Sequence, residues 1–344
     1  MAQAPEELLT GLLRDVSRSF YLTLRVLPGG IRTPVSLAYL LARTADTIAD
    51  TELVALEQRL EALRALRERI QGRATAKLDF GALARQQGSR AEGILLERCE
   101  ASLALLQGLQ PGDRQLVREV LEIITSGQEL DLRRFAGASA GSLVALRADA
   151  ELDDYTYRVA GCVGEFWTRI CRAHVFPRAS VDDALLLANS VRFGKGLQLV
   201  NILRDVAADL RQGRCYIPAE KLAVSGLKPG DLLLPESEPR FRPLYHEYLA
   251  RADAHLRAGW DYIHALPRRC VRVRLACAWP ILIGRETLER LRDDNVLDPA
   301  LRVKVSRRQV RKIIFRSVLL YPWPGAWEKM FPVGKPVASP PNLP

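Results

Sequence analysis

The sequence predicts an all-α fold, and three observations carry that expectation. Apolar residues recur at three- and four-residue spacing through most of the chain, the period of a helix with one buried face. The two-residue alternation of a half-buried strand is nearly absent. Clusters of Gly and Pro fall between the periodic segments, where helices stop and start.

Taken in order, the spacing predicts helices over 6–26, 34–70, 91–109, 113–135, 153–175, 181–210, 241–265 and 275–292. Pro28-Gly29-Gly30 closes the first segment. Pro111-Gly112 opens the fourth, and the glycines from Gly137 to Gly141 follow it. Pro177 ends the fifth. The longest irregular stretch, 222–243, contains Pro229-Gly230. The one weak strand candidate is Leu301 to Val305. No interval has the composition of a flexible linker, so residues 1–331 are expected to form a single domain. The Pro-rich stretch 332–344 is expected to be a disordered tail.

Composition bounds the function. Of 344 residues, 48% are hydrophobic and 26% charged, enough apolar material for a sizeable core. The net charge is +10, and 42 of the 50 cations are Arg, which suits an anionic partner. Cys99, Cys162, Cys171, Cys215, Cys270 and Cys277 form no C-x-x-C and no zinc spacing, so they are expected to be reduced packing residues in the cytoplasm. The N-terminus carries acids where a signal peptide carries cations. No apolar run is long enough to span a bilayer; Ala276 to Gly284 is interrupted by Pro280. The Arg residues are dispersed rather than gathered on one element with aromatics, which argues against nucleic-acid binding.

Two segments are amphipathic in the reverse sense. In 34–50 most positions are apolar, and Ser36, Tyr39, Arg43, Asp46 with Thr47, and Asp50 make one narrow polar stripe. In 191–209 the stripe is Gln198, Asn201, Asp205 and Asp209, flanked by Arg204. A surface helix has a narrow apolar stripe and a broad polar face, so these two helices are expected to be buried with their stripes on a cavity. Each stripe ends in two carboxylates four residues apart. Such a pair costs about 0.2–0.5 kcal/mol on an isolated helix and more when buried. A hard cation such as Mg²⁺, which takes carboxylate, water and phosphate oxygens, offsets that cost. Arg43, Arg204 and Arg214 could then bind a diphosphate bidentately. The competing reading is a solvated acidic face, with Arg43 an ordinary intrahelical partner of Asp46 or Asp50.

Four segments, Ser17 to Phe20 (SRSF), Tyr39 to Asp50 (YLLARTADTIAD), Tyr155 to Gly164 (YTYRVAGCVG) and Gln198 to Pro218 (QLVNILRDVAADLRQGRCYIP), resemble the squalene/phytoene synthase family, the head-to-head prenyl transferases, in order and separation. The resemblance spans roughly residues 10–290. It implies an isoprenoid-synthase-type helical bundle whose two aspartate helices face a central cavity. It also implies that Asp46, Asp50, Asp205 and Asp209 hold Mg²⁺, supported by Gln198 and Asn201. Ser17, Arg18, Phe20, Arg43, Gln198, Asn201, Arg204 and Arg214 correspond to substrate-binding positions, and Tyr39, Arg43, Tyr155 and Arg204 to catalytic ones. Ala160, Gly161 and Gly164 would leave room for a prenyl tail or serve close helix packing. Arg158 stands where many members carry a second aromatic.

Within the family, Cys277 to Asn295 followed by Leu301 to Val310 resembles the squalene synthase pattern, whose basic segment lies near a nicotinamide nucleotide. That implies NADPH at Lys304, Arg307 and Arg308, with no glycine-rich fingerprint to add to it. The expected activity is condensation of two farnesyl diphosphates through presqualene diphosphate to squalene. Dehydrosqualene, phytoene or presqualene diphosphate synthesis are the alternatives. A non-catalytic scaffold of the same fold would have degraded aspartate motifs, and all four aspartates are intact. Tyr321, Trp323, Trp327 and Phe331, just after the basic run Arg307 to Arg316, are expected either to contact the inner face of the membrane peripherally or to cap the core.

Overall fold

The computed structural model describes residues 7–17 and 20–331. The 332–344 tail and Arg18 lie outside the described residues. The described chain is helical almost throughout, as the periodicity predicts. It divides into two compact units, Met1–Ala136 with Glu165–Ser180, and Gly137–Gly164 with Val181–Pro344.

The first unit is built on α1 (Gly29–Ala49), α2 (Leu56–Gln71), α3 (Arg90–Glu97) and α4 (Pro111–Arg134). The predicted helix over 34–70 is in fact two. Asp50 caps α1, its N–H donating to the Asp46 carbonyl at 2.8 Å, and the chain turns before α2 begins. Gly72, at φ 76°, ends α2 in the left-handed region that favours glycine. Leu37, Leu40, Leu41, Ala45 and Ile48 of α1 are fully enclosed, together with Leu66 and Ile70 of α2 and Val117 and Leu121 of α4. Helix α5 (Cys162–His174) enters this unit at Glu165. There His174 Nε2 meets Asp113 Oδ1 at 2.6 Å, and Arg169 donates to Glu119.

The second unit centres on α6 (Asp183–Arg211). Asp182 caps it by accepting from the Leu185 N–H at 2.9 Å. Helices α7 (Glu238–Ala265) and α8 (Val271–Leu291) pack with it. Glycines set how near α6 lies to its neighbours. A Cβ on Gly194 would stand 2.1 Å from the Ala160 carbonyl oxygen, and one on Gly164 2.0 Å from that of Ser190. The small residues of the 159–164 segment therefore serve close backbone packing. That segment is also irregular: Tyr157–Gly161 is a single π turn between Asp149–Thr156 and α5. On the opposite side of α6, Gly196 lets His255 and Leu256 of α7 approach.

One further sequence expectation needs correction here. Leu301 to Val305 is not a strand, because no partner strand lies beside it; Val303 is buried and its neighbours are irregular. The sheet among the described residues is a parallel pair of two-residue strands, β1 (Val144–Ala145) and β2 (Arg214–Cys215), too short to leave a periodic signal. Beyond it, α9 (Arg307–Leu320) and Pro324–Glu328 fold back on α7 and α8. Trp327 stacks on Trp260 at 4.8 Å and Phe331 on the same ring at 5.6 Å. Trp279 Nε1 donates to Ser317 Oγ at 2.9 Å, and Trp327 Nε1 to the Ser317 carbonyl at 3.0 Å. All six cysteines are buried free thiols.

Gly194→Ala should lower stability by about 1–3 kcal/mol in urea unfolding, since backbone on both sides must separate. Gly112→Ala, with open space around its Cβ, should be neutral or stabilising. Burial, followed by the charges of Arg192, Arg251 and Lys195, pushes His255 down to about 4, against a raising contribution from Asp153. Between pH 6.5 and about 4 the unfolded chain takes up a proton that the folded chain refuses, so His255 makes stability fall as pH falls through that window. His255→Gln should flatten the corresponding slope in melting temperature measured from pH 7 to pH 5.

Candidate active site

The predicted stripe lies on helix α1. Ser36 and Thr47 are buried, Tyr39, Arg43 and Asp46 half-buried, and Asp50 exposed, while the remaining faces pack into the first unit. Gln128 of α4 donates from Nε2 to Asp46 Oδ1. Arg43 lies 4.0 Å from Asp46 and donates to Glu92 of α3. The guanidinium is thus shared by two acids, whose charges raise its pKa against the lowering effect of burial.

These partners do not neutralise the pair of aspartates. Burial, then the charge of Asp50, pushes the Asp46 carboxyl up to about 6, although Arg43 and Gln128 pull it down. The Asp46 side chain is nevertheless 47% accessible. It therefore sits in a recess that admits water, and water screens part of the shift. The upward direction follows from enclosure and from a second carboxylate one turn away. Beside it, Gln128 Oε1 is buried with no hydrogen-bond partner. Excess negative charge and an orphaned oxygen are a donor set that fits a hard divalent cation. Among the described residues no three His, Cys, Asp or Glu side chains form a metal-holding group. Water and substrate oxygens would complete the coordination.

The second stripe lies on α6. Asn201 and Arg204 are exposed, and Gln198, Asp205 and Asp209 half-buried. Arg204 binds Asp205 through two contacts, Nε to Oδ1 at 3.0 Å and a second guanidinium nitrogen to Oδ2 at 2.5 Å. That hydrogen bonding raises the Arg204 pKa. Asn201 Nδ2 reaches Gln198 Oε1 at 3.5 Å. Asp209 and Arg214 line one small recess with Tyr216, and Tyr155 stacks on Tyr216 at 4.8 Å. The structure thus brings Tyr155, Asp209 and Arg214 into one neighbourhood. Arg158 instead pairs with Asp154 at 2.9 Å.

Ser17 is buried with no partner for its hydroxyl, and Phe20 begins the helix Phe20–Val26. Lys304, Arg307 and Arg308 are exposed, and among the described residues none makes an ion pair. They surround the start of α9, where Ser306 and Gln309 form a capping box. Cations without acid partners at a helix N-terminus fit a phosphate-bearing nucleotide.

Gln128 and Glu92 are the residues the sequence did not single out. Each reaches its partner over a long chain separation, |i−j| 82 for Gln128 to Asp46 and 49 for Glu92 to Arg43. A buried Gln within the apolar face of α4 is the available signal for the first.

The family model for squalene/phytoene synthase matches residues 13–309. The presqualene diphosphate synthase of Zymomonas mobilis is 30% identical over 253 residues, 73% of each chain. The squalene synthase of Schizosaccharomyces pombe is 25% identical over 311 residues, covering 90% of this chain and 64% of that protein. Among solved structures, TcSQS with the ligand E5700 superposes with a TM-score of 0.78 at 22% identity, covering 95% of this chain and 89% of that one. Squalene synthase HpnC from Alicyclobacillus acidocaldarius gives 0.61 at 20% identity, covering 86% and 96%. The fold is accordingly the all-α isoprenoid-synthase type.

Asp46→Asn removes one of two adjacent charges without changing shape. In protein free of divalent cations at pH 7.5 it should raise the melting temperature by a few degrees. A lowered melting temperature would mean that Gln128 and Arg43 already compensate the charge.

Proposed function

The chain belongs to the squalene/phytoene synthase family, and on that footing we propose that it is a squalene synthase, joining two farnesyl diphosphates through presqualene diphosphate and reducing the product with NADPH. The family match runs through both compact units without interruption, which supports reading residues 1–331 as one synthase domain.

The prenyl-transfer chemistry rests on the two aspartate pairs, each backed by an arginine. Asp46 with Asp50, and Asp205 with Asp209, would hold Mg²⁺, which supplies positive charge against the departing diphosphate. Arg43 and Arg204 add guanidinium donors, and so do Arg18 and Arg214. Arg43 is held by Glu92 and Arg204 by Asp205. A diphosphate would draw Arg43 from Glu92, or Arg204 from Asp205, and Asp205 would then be available to hold the metal. Gln128 keeps the Asp46 carboxylate oriented, and Gln198 and Asn201 extend the polar stripe toward the substrate. Ser17 and Phe20 would contribute to substrate binding, and Tyr39 precedes the first aspartates on their face. The stacked rings of Tyr155 and Tyr216 offer π-faces beside Asp209 and Arg214, where an allylic cation would be stabilised electrostatically.

The observation that carries the reductive reading is the set of exposed, unpaired Lys304, Arg307 and Arg308 at the start of α9. NADPH bound there would supply a hydride to the second stage. A second reading, release of presqualene diphosphate itself, is favoured by the activity named for the Zymomonas mobilis relative.

The purified protein should convert farnesyl diphosphate with Mg²⁺ and NADPH to squalene, and without NADPH should accumulate presqualene diphosphate or its solvolysis products. Replacing Lys304 and Arg307 with Ala should raise the KM for NADPH several-fold and leave that for farnesyl diphosphate little changed. Release of presqualene diphosphate at the same rate with and without NADPH would establish the second reading instead.

A further inference from the structure

Of the aromatics near the C-terminus, Tyr321, Trp327 and Phe331 follow the core-capping alternative. Trp327 is 2% exposed and Phe331 4%, both stacked on Trp260. Tyr321 donates its hydroxyl to the Arg268 carbonyl at 2.6 Å and lies under Arg274. These three rings close the core of the second unit. A different set of apolar side chains is left in solvent. Phe315 is 66% exposed and Trp323 58%, and Val318 and Leu319 are exposed beside them. At about 100° per residue, Arg308, Arg311, Lys312, Phe315 and Leu319 fall on one side of α9. All of them are exposed. The outer face thus runs from cationic in its first half to apolar in its second. The opposite side is anchored through Ser317, which is fully buried and bonded to both Trp279 and Trp327. The helix therefore cannot roll to hide its apolar residues without breaking those bonds.

From this arrangement we infer that the outer face of α9 docks on an anionic lipid bilayer, with Phe315, Val318, Leu319 and Trp323 entering the headgroup–acyl boundary and Arg311 and Lys312 engaging lipid phosphates. Charge selects the occupant. From Pro299 to Trp327 the chain has seven cations and no Asp or Glu. A second copy of this face would set cations against cations, whereas anionic headgroups neutralise them. Lys312 and Arg316 also border a cavity of about 630 Å³ that takes in Arg285 and Lys329. Its acids, Glu286 and Glu289, are already engaged by Arg290 and by Arg285 with Arg292. Lys312, Arg316 and Lys329 leave the cavity with an excess of cations. An amphipathic helix with apolar and basic residues on one face binds interfaces through both contributions together. No helix among the described residues is long and apolar enough to cross the membrane, so the contact is peripheral.

Cosedimentation of the full chain with vesicles tests the inference. Equimolar phosphatidylcholine–phosphatidylglycerol vesicles should bind at least about tenfold more protein than phosphatidylcholine alone, and salt should weaken the binding. The exposed double variant Val318→Glu/Leu319→Glu should lose most of it while keeping its circular dichroism. Arg311→Glu/Lys312→Glu should lose the preference for the anionic lipid. As a readout that needs no drastic variant, the emission of Trp323, taken as the difference between wild type and Trp323→Phe, should shift to the blue on anionic vesicles. Equal binding to both vesicle types, unchanged binding by the apolar variant, or an unshifted Trp323 would overturn the inference. So would a change of oligomeric state in the apolar variant with vesicle binding intact, which would assign the face to a protein contact.

Discussion

Two carboxylates one helical turn apart, on a helix whose other faces are buried, are the constraint around which each candidate metal site is organised. Such a pair repels itself, and enclosure strengthens the repulsion. On α1 the remedy is partial: a buried amide from α4 and a guanidinium that also serves Glu92 leave Asp46 short of full compensation. On α6 the remedy is local, since Arg204 folds onto the neighbouring Asp205. Residual electrostatic strain of this kind is what a functional site keeps and a merely structural ion pair relieves.

Holding the second pair in place requires α6 to be rigid, and its rigidity comes from absent side chains. Gly194 and Gly196 would disfavour the middle of an ordinary helix. Here they admit the 160–161 backbone on one side and His255 and Leu256 on the other. The conformational cost of glycine is offset by contact that no larger residue would permit. The same helix then delivers Asp205 and Asp209 near its C-terminal end, two turns or more beyond the gripped region.

The parts of this protein that were legible in its sequence are those written in local periodicity. The all-α class, the two reversed stripes and the placement of Asp46, Asp50, Asp205 and Asp209 on them all follow from steps of three and four. The break between α1 and α2 was not legible, because Thr51 to Ala55 contains neither Gly nor Pro. The β1–β2 pair joins segments far apart in the chain and is too short to leave an alternation. Gln128 and Glu92 act across packed helices, and nothing adjacent to either reports its partner. The aromatics near the C-terminus illustrate the ambiguity of composition: Trp323 faces solvent, whereas Trp327, four residues on, completes the core.

The π turn at Tyr157–Gly161 affects how positions in this segment can be equated with those of other chains. A π turn accommodates one residue more than the α-helical turn it replaces. Everything after it is therefore rotated by about 100° relative to an uninterrupted helix. Tyr155 before the turn stacks on Tyr216, while Gly164 after it meets α6 at Ser190. A residue's column in an alignment does not fix its azimuth here. Arg158 lies inside the turn, and its side chain is held by Asp154 one turn back. The extra residue in that turn, as much as the side chain that precedes Val159, sets which way the rings of Tyr155 and Tyr157 point.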